Sequence, residues 1–279
     1  MSVIIGIDVG GSTTKIVGYT DQGKLVSVLQ VEASDPLTSA YGALGKFVNE
    51  NGLSLQDVKQ IILTGVGSSL FEKDIYGIPT SFVDEFKAIG LGGLALSGKE
   101  EGLIVSMGTG TAFVRADKEG IRHIGGSGVG GGTVLGLCDK MCGASSFRSV
   151  AEMAACGDLG RVDLNIGHIS KGVIGTLKPE TTASNFGKME DDATAADVTL
   201  GVLNMVFQTI GMMAVFACKN SPCKDVILTG TLTLVPFAKT VFDSLNEMHG
   251  INFIIPQNAI FSTATGAALS YLKKGETVK

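Results

Sequence analysis

The stretch Ile4-Ile5-Gly6-Ile7-Asp8-Val9-Gly10-Gly11-Ser12-Thr13-Thr14-Lys15 runs a short apolar segment into a glycine turn that carries one carboxylate, several hydroxyls and a lysine. That set of groups makes a phosphate cradle. Glycines let backbone N–H groups approach a polyphosphate without side-chain obstruction, the hydroxyls and Lys15 add donors, and Asp8 is suited to organise a hydrated Mg2+. The competing reading is an ordinary hairpin turn between Ile4-Ile5 and Lys15-Ile16-Val17. Neither GxGxxG nor GxxxxGK followed by Ser or Thr is present at this turn, so the better-known nucleotide loops do not apply.

Outward from the cradle, Val3–Ile7, Thr14–Tyr19 and Leu25–Glu32 read as successive strands, with Asp21-Gln22-Gly23 as a turn. Residues Pro36–Asn51 read as helix, Val58–Thr64 as a buried strand ending at Gly65-Val66-Gly67, and Ser81–Leu96 as a strand end running into a helix. After Ser97-Gly98-Lys99-Glu100-Glu101-Gly102 the pattern restarts. Leu103–Met107 leads into Gly108-Thr109-Gly110-Thr111, then strand Ala112–Arg115 and Gly120-Ile121-Arg122. This second strand, glycine-hydroxyl turn and strand predicts a second lobe, with Gly108–Thr111 as phosphate loop two. Between Gly125 and Gly136 the glycine density predicts close backbone approach and a helix N-terminus whose free N–H groups bind anions. Further on, Asp225–Thr231 reads as a strand ending in a nucleoside-contacting turn, and Ser262–Leu269 as a small-residue helix packing between lobes.

With 279 residues the chain is long enough for one large or two medium lobes with buried cores. Its 39 glycines, about twice the usual ~7%, fall in short clusters of the kind that form ligand loops. The net charge of −5 and the scattered Lys and Arg exclude a nucleic-acid footprint. Lacking a basic n-region and a cleavage site, the N-terminus points to a cytoplasmic protein. The apolar stretch Val198–Ala217, broken by Asn204, Gln208 and Gly211, reads as a buried or dimer-forming helix rather than a membrane span. The five cysteines, Cys138, Cys142, Cys156, Cys218 and Cys223, form no CxxC pair and read as reduced thiols.

A strand leading into DxGGxxxK resembles phosphate site one of the actin and sugar-kinase superfamily. The ordered set Asp8–Lys15, Phe82–Phe86, Ser106–Thr111, Ile124–Leu137, Thr229–Thr231 and Phe261–Leu269, with Ala154–Asp158 and Ala183-Ser184-Asn185-Phe186-Gly187 between, is similar to the type II pantothenate kinases over nearly the whole chain. The resemblance implies a two-lobed actin-like, ribonuclease H-like α/β ATPase fold with an ATP cleft between the lobes. It places one lobe at 1–100, joined by a returning C-terminal helix at about 262–274, and the other at 101–279. A homodimer is implied, or else a buried intrachain helix over the same residues. The implied reaction is ATP-dependent phosphorylation of the terminal hydroxyl of pantothenate, the first step of coenzyme A synthesis.

Phosphoryl transfer needs in-line positioning, charge neutralisation and a base for the attacking hydroxyl. Glu85 matches the family's catalytic glutamate, with the neighbouring Asp84 as the alternative. Asp8 would hold Mg2+ through water, Lys15 would contact the transferred phosphate, and Gly10, Gly11, Ser12 and Thr13 would line the cradle. From the opposite lobe Thr109 and Thr111 would donate to phosphate or substrate hydroxyls, beside Gly110. Gly131, Gly132, Thr133 and Thr231 map near the nucleotide, and Phe147 packs either on the adenine or in the core. The chain departs from the family where an arginine usually precedes the Ile-Gly-Gly step. Here that residue is His123, with Arg122 one place earlier, and adjacent strand residues point to opposite faces. Either His123 takes the polar role or the substrate differs. Alternatives are a related kinase of an amino sugar or vitamin derivative, an ATPase activator of CoA-ester dehydratases and reductases that shares an iron–sulfur cluster across a dimer, and a degenerate ligand-binding regulator.

Overall fold

The β-branched run at the N-terminus forms β1 (Val3–Val9), which pairs antiparallel with β2 (Thr13–Thr20) and sets Asp8 opposite Lys15. The structure is a computed structural model, and it describes residues 2–32, 35–170 and 177–276. β3 (Leu25–Glu32) completes the meander, and α1 (Pro36–Glu50) starts at an Asp35 cap whose carboxylate accepts the Thr38 N–H. The chain then adds β4 (Val58–Thr64) and β5 (Thr80–Phe82), both parallel, for a sheet order β3-β2-β1-β4-β5. α2 (Glu85–Ser97) follows and ends at Gly98, which adopts a left-handed φ of 67°.

The second half repeats this plan, as the restarting pattern predicts. β6 (Gly102–Met107), β7 (Thr111–Asp117) and β8 (Gly120–Ser127) form a second antiparallel meander. After it come α3 (Gly131–Cys142), α4 (Phe147–Ala154), β9 (Leu164–Asn165), α5 (Ile166–Ile169), β10 (Thr182–Ser184) and α6 (Ala195–Cys218). Then β11 (Asp225–Thr229), α7 (Phe237–His249), β12 (Asn252–Ile254) and α8 (Ser262–Glu276) close the chain. β11 and β12 add in parallel, giving the order β12-β11-β6-β7-β8.

Between the two sheets lies a layer made of α2 and α8. The helices cross at glycines. A Cβ on Gly92 would overlap the Ser262 carbonyl, and one on Gly266 would overlap the Ala88 carbonyl. The ownership of the layer is exchanged: α2 packs Ile89 with Ile104, Val114 and Ile227 of the second sheet, whereas α8 packs Ala264, Ala267 and Ala268 with Ile4, Val17 and Ile62 of the first.

The apolar stretch from 198 to 217 lies in α6, which is long and apolar enough by composition to cross a membrane. Its Leu203, Val206, Phe207 and Ile210 are buried in the core of the second half. Asn204, the polar interruption in that stretch, donates to the buried Asp163 carboxylate at 2.7 Å. Asp163 also accepts the Phe186 N–H and the Asn185 side-chain amide, so the Ala183–Gly187 block is tied to α6 by hydrogen bonds.

Candidate functional site

The tips of the two β-hairpins, β1–β2 and β6–β7, face each other across a cavity of about 580 Å3. Asp8, Gly10, Gly11, Ser12, Thr13 and Lys15 line it from the first sheet, and Ser106, Gly108, Thr109, Gly110 and Thr111 line it from the second. Gly230, Thr231, Glu85, Phe86, His123, Gly126 and Ser127 line it as well.

Asp8 ends the hydrogen-bonded core of β1 beside Thr64 of β4. Burial pushes its carboxyl above the ordinary range, and the facing Lys15 offsets this in part. Lys15 is almost fully buried, and its Nζ donates to the Thr13 hydroxyl at 2.7 Å. Gly65 is required next to this carboxylate. Its φ is 86°, and a Cβ there would sit 2.5 Å from an Asp8 oxygen.

A raised carboxylate has a stability consequence whose sign is fixed. The folded chain binds the Asp8 proton more tightly than the unfolded chain does, so stability is lost as pH rises through the raised value. Asp8→Asn is therefore expected to raise the thermal midpoint at pH 8. The gain should vanish under acid conditions, as scanning calorimetry across pH will show.

Glu85 and Asp84 separate by geometry. Asp84 is the N-cap of α2 and accepts the Lys87 N–H at 2.9 Å, while Glu85, the first helical residue, lines the cavity. The Glu85 carboxyl is pushed up first by burial, then by the charges of Asp8 and Asp84.

Several expected ligand contacts fall elsewhere. Arg122 does not face the cavity, because strand alternation turns it to the other face of β8, where it pairs with Asp117 and Glu119. The amides at the start of α3 are not free for an anion: Gly131 N–H donates to Gly108 O and Gly132 N–H to Thr109 O, both at 2.8 Å. These glycines instead let the helix sit directly on the Gly108–Thr111 turn, since a Cβ on Gly130 would be 2.7 Å from Thr109 O. The Thr133 hydroxyl is spent on Gly128 O and Gly130 N–H. Thr111 lines the cavity, but its hydroxyl donates to Val129 O at 2.8 Å. Phe147 lies under Gly131 as a packing residue of the second core.

Phe86, Ser106, Ser127 and Thr263 also line the cavity, and no motif in the sequence marks them one by one. Phe86 had a legible signal in its place directly after Glu85. Its ring stacks on His123 with centroids 3.9 Å apart and planes 13° apart.

Comparison with known proteins bears on this arrangement. The family model described as Fumble matches residues 102–245. The chain belongs to the Fumble family. The matched Fumble segment spans the Gly108–Thr111 turn, α3, α6 and Thr231. Beyond it, a protein of Staphylococcus haemolyticus named type II pantothenate kinase is 27% identical over 274 residues, covering 94% of this chain and 98% of that protein. One of the same name from Staphylococcus aureus is 26% identical over 281 residues, covering 97% and 99%. Among solved structures, the activator of 2-hydroxyisocaproyl-CoA dehydratase from Clostridium difficile with bound ADPNP superposes with a TM-score of 0.72 at 16% identity, covering 99% of this chain and 96% of that one. The last likeness concerns the fold, which is the two-lobed actin-like α/β ATPase fold. The Fumble relatives are kinases by name.

Proposed function

We propose that this Fumble-family chain transfers the γ-phosphoryl group of ATP to the terminal hydroxyl of pantothenate, giving 4'-phosphopantothenate and ADP. The observation that carries the reading is one cavity holding Glu85 together with both glycine-hydroxyl hairpins. Near-full-length similarity to proteins named type II pantothenate kinase supports the choice of acceptor.

In this reading Glu85 takes the proton of the acceptor hydroxyl as its oxygen forms a bond to the γ-phosphorus and the bond from phosphorus to the β,γ-bridging oxygen breaks. The leaving electron pair stays on ADP. Its upward-shifted carboxyl suits Glu85 to this role, since a base works best with an affinity for protons near the working pH. The ammonium of Lys15 and the backbone N–H groups of the two hairpins meet charge on the phosphates, and Thr109 and Thr231 flank them. The two hairpins hold the reactants in line from opposite sides, which replaces a costly search by fixed geometry.

A magnesium ion suits Asp8. The carboxylate is buried beside the Thr64 hydroxyl, which has no hydrogen-bond partner among the described residues. Among the described residues no group of three or more His, Cys, Asp or Glu forms a cage. One carboxylate plus phosphate oxygens and water is the usual magnesium pattern. The ion would supply charge neutralisation between the phosphates. Under the same reading residues 1–100, with the returning helix α8, and residues 101–279 form the two lobes of each protomer of a cytoplasmic homodimer. A dehydratase-activator reading is disfavoured by Cys138, which is fully buried under α6 with its thiol pushed up to about 11 by burial.

The test is ADP release from MgATP with pantothenate, N-acetylglucosamine or no acceptor. Pantothenate-dependent release is expected. Release with the sugar alone would reassign the acceptor, and acceptor-independent release would make the protein an ATPase.

A further inference from the structure

A second cavity, of about 310 Å3, lies where the β7–β8 turn meets the loop between α6 and β11. Three cations line it, Arg115, Lys118 and Arg122, together with three acids, Glu101, Asp117 and Glu119. It shares no lining residue with the hairpin cavity. Along β7, Arg115 stands about 13 Å from Thr111 at about 3.3 Å per residue, so the two sites are separate.

Charge is answered unevenly here. Arg115 and Arg122 are register partners on β7 and β8, so their side chains leave the same face of the sheet. Like charges set directly opposite destabilise a strand pair unless something negative joins them. Arg122 has its own acids, Asp117 at 2.6 Å and Glu119. Arg115 has no ion pair among the described residues, although it is only 9% exposed. Its Nη2 donates to Ala217 O at 3.3 Å and to Cys218 Sγ at 3.6 Å, while its buried Nη1 has no partner among those residues. The negative end of α6 offsets about half a charge at most. A buried guanidinium otherwise needs a full counter-charge. Glu101 makes no ion pair with it and is exposed to water, where its charge is screened.

We propose that this cavity is a binding site for a small oxyanion, a phosphate or carboxylate group, held by the Arg115 guanidinium with Arg122 beside it. The planar fork of a guanidinium presents paired N–H donors at the spacing of two oxygens of such a group. The cavity is larger than one such group and matches the lower end of small-molecule sites, so the ligand is a small metabolite that carries the anion as its head group. The inference is independent of the kinase reading, because none of these residues belongs to the proposed catalytic cavity.

Cys223 also lines this cavity and reports on it, whereas the exposed Cys156 does not. Peptide-resolved alkylation by iodoacetamide, an uncharged reagent, is followed on the full chain with sodium phosphate, glycerol 3-phosphate or sodium acetate, against sodium chloride of equal ionic strength. Phosphate at about ten times its Kd should slow alkylation of Cys223 about tenfold and leave Cys156 unchanged. Protection at lower concentration by acetate would support the site and make the head group a carboxylate; protection at lower concentration by the ester would support it and make the ligand a phosphorylated metabolite. Arg115→Met should abolish the protection. Glu119→Gln, an exposed change that releases part of Arg122 to the anion, should lower the half-protecting concentration about twofold to fivefold, the worth of one exposed charge pair. That second variant decides the matter if Arg115→Met does not fold. Equal protection by sodium chloride, no protection by any of the three anions, or protection that survives in folded Arg115→Met would overturn the inference and leave Arg115 as a cap on α6.

Discussion

Glu85→Gln is expected to lower kcat by about 10^2 to 10^4-fold, the usual contribution of a positioned base, with little change in the KM for ATP. Glutamine keeps the size of the side chain and its place at the first turn of α2, so the cavity wall survives while proton acceptance is lost. The wild-type pH profile should carry the same signature. Because burial, Asp8 and Asp84 all push the Glu85 carboxyl up, kcat should fall with acidification at a pH above the ordinary carboxylate range. The limb should be absent from the residual activity of Glu85→Gln. Retention of full activity by Glu85→Gln would remove this residue from the mechanism and return attention to Asp84.

The second large effect concerns the layer between the sheets. Gly266→Ala should destabilise the chain by about 3 kcal/mol or more, at the upper end of the range for overpacking. The new methyl group overlaps the Ala88 carbonyl, which is helix backbone and cannot rotate aside. The urea midpoint should drop with an unchanged slope, the mark of a native-state effect. Gly45→Ala is the matched control: Gly45 lies on α1 with open space around its Cα, and alanine there should add about 0.5–1 kcal/mol. Similar midpoints for the two variants would mean that the crossing is looser than described.

Strand pairing and the two-lobed plan were legible because β-branched alternation and glycine turns act locally. The run from Ile4 to Lys15 needs only its own residues to become a hairpin with Asp8 opposite Lys15. What lay beyond reach depended on partners distant in the chain. Nothing around Gly131 and Gly132 announces that their N–H groups are taken by Gly108 and Thr109, because the hydrogen bonds span more than twenty residues. The partner of the Thr111 hydroxyl, Val129, is likewise distant in the chain, 18 residues away. The alternation rule did separate Arg122 from His123, yet the acids that hold Arg122 became visible only with the β7–β8 turn formed. Likewise Asp84 and Glu85 are equivalent as residue types, and the start of α2 distinguishes them by giving one the cap and the other the cavity.

The crossed ownership of α2 and α8 has a bearing on how the cleft works. Glu85 is carried by a helix seated on the second sheet, while Asp8 and Lys15 are carried by the first. Any sliding of one sheet past the other at the glycine crossing changes the distance between base and cradle directly. Under the proposed reading, a wider cleft would hold ATP out of reach of the group that deprotonates an attacking hydroxyl, so that closure and competence would arrive together.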